Sequence, residues 1–232
     1  PSGDLKFTTS TSGTSGGVVD VNAAKADAVA NISTDLTVNS ASILAAGVVI
    51  ETRSFLDVSA VSDSTSVIGG VSIGESDTSA RATNDSDIVI NSGANIESTA
   101  DMRISATIDS TVTAGALTDQ DSVLGSGADS DAEAGLIYDV TNTVTGDLTA
   151  SGNLTVETKT KSNVQADAQA ESFGLFGSNA IADADARIGT HSFSGTNYAS
   201  EEQAVSRTII GKNANLVAGN LTVGAYVDKM RA

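Results

Sequence analysis

Apolar and polar residues alternate with a period of two along almost the whole chain. Asp35-Leu36-Thr37-Val38-Asn39 and Asp87-Ile88-Val89-Ile90-Asn91 are segments of this kind, as are Asn153-Leu154-Thr155-Val156-Glu157 and Asn220-Leu221-Thr222-Val223-Gly224. Alternation sends successive side chains to opposite faces, the mark of a strand with one buried side. The flanking Gly, Asn and Asp accept turn conformations. The most helix-like stretch, Val21 to Ala30, is Ala-rich yet alternates as Ala-Asp-Ala-Val-Ala, which predicts a strand there too. The predicted fold class is all-β.

Two recurrences organise these strands. The first reads strand, small-residue corner, strand. It begins at Asp35-Leu36, Asp87-Ile88, Asp147-Leu148 and Asn215-Leu216, so its anchors lie at residues 36, 88, 148 and 216. The second is a small apolar-Gly turn: Val67-Ile68-Gly69, Val123-Leu124-Gly125 and Leu175-Phe176-Gly177. Long imperfect repeats predict one elongated stacked domain over residues 1–232, with function spread along a surface instead of held in one pocket. The segments around the Gly turns are either further full coils or protruding hairpins. Residues equidistant from a tight turn face one another in a hairpin, and the symmetric placement of acids around each glycine favours it.

Those acids are the first candidate site. Asp63, Asp119 and Glu171 precede the three turns, whereas Glu75 with Asp77, Asp131 with Glu133, and Asp183 with Asp185 follow them. Grouped by position, Asp63, Asp119 and Glu171 form one column, Glu75, Asp131 and Asp183 a second, and Asp77, Glu133 and Asp185 a third. Stacked carboxylates repel, and Ca²⁺, which gathers several oxygen ligands, would relieve them. A solvated face that keeps a β protein soluble is the simpler alternative. No Ca²⁺-binding nonapeptide array or EF-hand loop accompanies the acids. No cofactor is required.

Composition narrows the partners. With 29 acidic and 12 basic residues the formal charge is −17, which argues strongly against nucleic acid as a partner and disfavours anionic membranes. No run of about 18 apolar residues is present, so no membrane insertion is expected. The chain has no cysteine and one proline, Pro1, so neither thiolates nor disulfides contribute and little interrupts the strand ladders. Its opening, Pro1-Ser2-Gly3-Asp4, lacks a leader pattern and suggests a processed chain or a piece of a larger one. Disorder is disfavoured by a 40% hydrophobic content in alternating runs.

Catalytic signals are thin, and the expectation is that the chain is not an enzyme. His191 is the single histidine, no nucleophile elbow is present, and Gly211-Lys212 lacks the glycine spacing of a phosphate loop. Asp101 with Arg103, and Asp185 with Arg187, imitate the carboxylate-base pairs of polysaccharide-cleaving β-helices but read more simply as outward ion pairs. Phe173 and Phe176 flank a turn, either as a contact patch or, more simply, as a plug for a thin core.

The steps Ser151-Gly152-Asn153-Leu154-Thr155-Val156 and Ala218-Gly219-Asn220-Leu221-Thr222-Val223 resemble the coils of filamentous-haemagglutinin-like adhesins. Val164-Gln165-Ala166-Asp167-Ala168-Gln169-Ala170 is similar to the repeats of large bacterial filamentous adhesins. The resemblance runs from about Ile32 to Tyr226. It implies a right-handed parallel β-helix on a secreted or surface-attached bacterial protein. The expected function is therefore a structural segment of an extracellular adhesin or fibre, self-associating end to end or laterally and touching a host or cell-surface glycan or protein. The alternatives are a Ca²⁺-binding module and, third, a polysaccharide-degrading enzyme.

Overall fold

A computed structural model of the chain describes residues 2–189 and 204–231. The described structure is all-β with parallel strands. A large sheet contains β1 (Ser2–Ser15), β2 (Val19–Val38), β4 (Val48–Ile90), β6 (Met102–Val144), β8 (Asn153–Phe173), β9 (Ser178–Ile188), β10 (Val205–Ile210) and β12 (Asn220–Arg231). A small sheet stacks β3 (Ser42–Ala45), β5 (Asn95–Ser98), β7 (Asp147–Ala150) and β11 (Asn215–Val217). The Ala-rich stretch from Val21 to Ala30 is part of β2, as alternation predicts.

β4 and β6 are too long to run straight. Each travels out as a first arm, reverses at its Gly turn and returns as a second arm. β1 pairs with the first arm of β4, and β2 with the second. β8 pairs with the first arm of β6, and β9 with β10 pair with its second arm. The arms of one layer face each other through side chains while their backbones bond to the layers above and below. Thus Ser54 Oγ donates to Asn84 Oδ1 at 2.6 Å, Ser86 Oγ to Thr52 Oγ1 at 2.8 Å, and Ser62 Oγ lies 2.6 Å from Ser76 Oγ. The Gly segments are therefore turns within one layer and not extra coils: residues equidistant from the turn oppose one another, as the hairpin expectation has it, and both arms pair with the next repeat.

The interior changes character from base to tip. Near the small sheet it holds Ile88, Ile90, Met102, Ile104, Leu148 and Leu154, all fully buried. Midway it narrows to alanines such as Ala60, Ala80, Ala114 and Ala134. At the tip the buried residues are Ser62, Ser64, Ser72, Ser76, Thr118, Gln120 and Ser130. Small residues let the two arms approach closely, and hydroxyls then satisfy one another across the gap instead of being stranded. Gly74 permits the tightest of these contacts, because a Cβ there would lie 2.1 Å from Gln120 Nε2.

Register corrects part of the repeat reading. Leu36 and Ile88 are direct neighbours, but Ile88 is followed by Asn142. Leu148 instead stacks between Ile96 and Leu216 in the small sheet. The anchors near 36 and 88 thus mark the end of a second arm, whereas those near 148 and 216 mark the corner that follows it. Drift of the period has a local cause. Leu136 pairs with Ile188, a separation of 52, and Asp139 with Val205, a separation of 66, so the third layer gains fourteen residues between them.

Candidate functional site

The outer face of the second arms is built from columns running across the layers. One column is Lys25, Asp77, Asp131, Asp183; its neighbour is Asp27, Ser79, Glu133, Asp185; a third is Ala23, Glu75, Asp129, Ile181. The expected groupings therefore hold for Asp131 with Asp183 and for Glu133 with Asp185, but not for Glu75 or Asp77. The spacing from Gly69 to Gly125 is 56 residues, whereas β4 and β6 pair at a separation of 54, with Val71 opposite Gly125. Counting from glycine therefore misplaces the first copy by two positions. The same slip sets Asp63 beside Leu117 and Asp119 beside Thr65, while Glu171 is the direct neighbour of Asp119.

Electrostatics follow the columns. Burial raises the pKa of the Asp131 carboxyl, and Glu133, Asp77, Asp183 and Asp129 raise it further. Burial also raises that of Asp119, helped by Asp121, Glu171 and Asp63. Asp77 is relieved by Lys25, whose Nζ lies 2.6 Å from Oδ2. Asp185 accepts from Arg187 Nε at 2.7 Å, the ion pair expected from the sequence. Asp101 and Arg103 do not pair. Arg103 turns to Glu157, with Nη2 at 2.8 Å, and Asp101 accepts from the amide of Asn153 at 2.8 Å.

Further groups carry no motif in the sequence. Near the base, Asp35, Asp87 and Thr141 form a column that ends in Arg207. Burial raises the pKa of the Asp87 carboxyl, with Asp139 next in effect, against the amide of Thr141, which donates to it at 3.1 Å. Glu157 is an outward carboxylate buried between Arg103 and Lys159 Nζ, at 3.2 Å. Arg103 is fifty-four positions away in sequence, and only Lys159, two positions on, is a local signal. The tip residues Phe173 and Phe176 are 61% and 83% exposed, which overturns the core-plug reading; Leu124, which accepts a bond from the Phe176 amide, lies in the same ridge.

What can this surface do chemically? Among the described residues no group of three or more His, Cys, Asp or Glu side chains converges to hold a metal ion. Two recesses among the described residues are shallow: one lies between Phe55, Asp57 and Asp109, another between Val61, Gly115 and Asp167. Neither brings a nucleophile to a base. No helix among the described residues is long and apolar enough to cross a membrane. His191, Phe193 and Tyr198 lie outside the described residues. In comparisons with protein families, curated proteins and solved structures, no match was found.

Proposed function

We propose that this chain is a structural repeat segment of a secreted bacterial cell-surface adhesin or self-assembling extracellular fibre, wound as a right-handed parallel β-helix. It works by projecting length and by displaying an acidic, Ser/Thr-rich face to a glycan or protein on a host or cell surface. It is not an enzyme. One observation carries this reading: the layers stack in parallel register, and the described strands β2 on one side and β9 with β10 on the other each pair along a single edge. Such edges bind further strands unless covered. Electron microscopy of the purified chain tests it, with filaments expected and monodisperse monomers counting against it.

A second reading, a Ca²⁺-binding module, draws its support from the uninterrupted carboxylates of Asp77, Asp131 and Asp183. A chelator that lowers the melting midpoint would favour it.

A further inference from the structure

Resting on the fibre reading, we infer that copies of this chain join in one fixed register, β2 of one copy pairing in parallel with β9 and β10 of the next. The internal ladder supplies the rule. Lys25, Asp77, Asp131 and Asp183 follow one another across the layers, and so do Asp35, Asp87, Thr141 and Arg207. Placing β2 of a second copy one layer beyond β9 and β10 sets its Lys25 beside Asp183 and its Asp35 beside Arg207. Both contacts join opposite charges. Lys25 already makes such a contact inside the chain, with Asp77.

The inward row fits as well. β2 buries Ala26 and Ala28, and in this register the corresponding positions of β9 are Ala184 and Ala186. Small side chains meet small side chains where the interior is narrow. A slip of one residue turns the alanine row outward. Slips of two residues carry Lys25 to Ile181 or Asp185 and Asp35 to Val205 or Ile209, losing at least one ion pair. The register that satisfies both pairs is the one the ladder dictates. One like-charged contact remains, Asp27 against Asp185, and Arg187 already holds Asp185.

In the same arrangement Ser2 to Lys6 of the incoming copy claims the positions that Tyr226 to Arg231 occupy on β8. One of these short segments yields to the other at each joint. The four second-arm layers of one copy, spaced by about 4.8 Å, give an axial repeat of about 19 Å.

The test uses two substitutions that ease repulsion within the chain while breaking the joint. Asp183→Lys places a cation beside Asp131, and Asp35→Arg places one beside Asp87, so circular dichroism should report an intact fold for both. Each should raise the concentration at which filaments form by about tenfold, because an opposite-charge neighbour becomes a like-charge one. Adding Lys25→Asp to Asp183→Lys should restore assembly. Independently, Thr37→Cys with Ile209→Cys should cross-link copies into covalent ladders, and Thr37→Cys with Val205→Cys, four positions off, should not. If wild-type chains form filaments that neither charge variant weakens, or the off-register cysteines link equally well, this register is wrong and the fibre reading stands. Wild-type chains that stay monomeric overturn both.

Discussion

Gln120 on the first arm of β6 fills the space that a side chain on Gly74, in the second arm of β4, would need. Its amide is held at both ends: Nε2 donates to the Ser64 carbonyl at 3.2 Å, and Ser72 Oγ donates to Oε1 at 2.8 Å. Gly74→Ala pushes a buried amide off both partners. The expected cost is about 2–4 kcal/mol, from overpacking plus unsatisfied polar groups. Urea denaturation measures it. Gly74→Ala combined with Gln120→Ala should be less harmful than the two single effects added, because the clash is gone.

Glu157 should matter more than any exposed ion pair. Its side chain is 9% exposed and accepts from Arg103 and Lys159, whereas Lys6 and Asp57, 2.8 Å apart, are 73% and 46% exposed. Glu157→Ala leaves two cations facing each other without their shared acceptor and should cost about 1.5–3 kcal/mol. Lys6→Ala should cost far less, since an exposed pair is screened and entropically expensive to hold. Equal losses in the two variants would contradict this ranking.

How far these relationships can be read from sequence depends on their range. The period of two is local, so strands such as β2 were legible despite an alanine content that suits helices. Leu36 beside Ile88 was legible because both sit in matching Asp-initiated segments. Register around the tip was not, since the glycine stands two positions earlier in β4 than in β6 and side-chain packing, not the turn residue, sets the pairing. The Arg103 contact of Glu157 and the bonds of Gln120 were invisible for the same reason: these partners lie on neighbouring layers, and Ser, Thr and Gln at inward positions look like surface residues until the opposing arm supplies their hydrogen bonds.

Chelation and salt should separate the two explanations of the acidic columns. No three carboxylates among the described residues converge on a common point, so excess EDTA should leave the thermal midpoint unchanged. Raising NaCl from low to high concentration should increase it, because the chain carries a formal charge of −17 and its exposed carboxylates repel through solvent. A midpoint that drops with EDTA and recovers with Ca²⁺ would sink the solvated-face explanation.

Mild acid should stabilise the fold. Asp87, Asp119 and Asp131 all titrate above their ordinary value of 3.8, first through burial and then through neighbouring carboxylates. Their folded state therefore binds protons more readily than the unfolded chain, so the penalty they impose at neutral pH is relieved as pH falls through their raised values and is gone below about 3.8. Asp20 acts oppositely. The hydroxyls of Ser15 and Ser66 hold it below 3.8, so its contribution is present above that pH and is lost only in stronger acid. At the alkaline end, hydrogen bonds to Asp57 and Asp77 raise the titration of Lys6 and Lys25 above 10.5, and their contribution disappears as pH passes those values. The thermal midpoint should thus climb from pH 7 towards pH 4, fall in stronger acid, and fall at the alkaline end only above about pH 10.5. Dilute samples are needed, since the chain approaches neutrality near its isoelectric point of about 4.1. Asp131→Asn should raise the midpoint at pH 7 and flatten the climb, and a midpoint that instead declines steadily from pH 7 to pH 4 would show that paired carboxylates outweigh crowded ones.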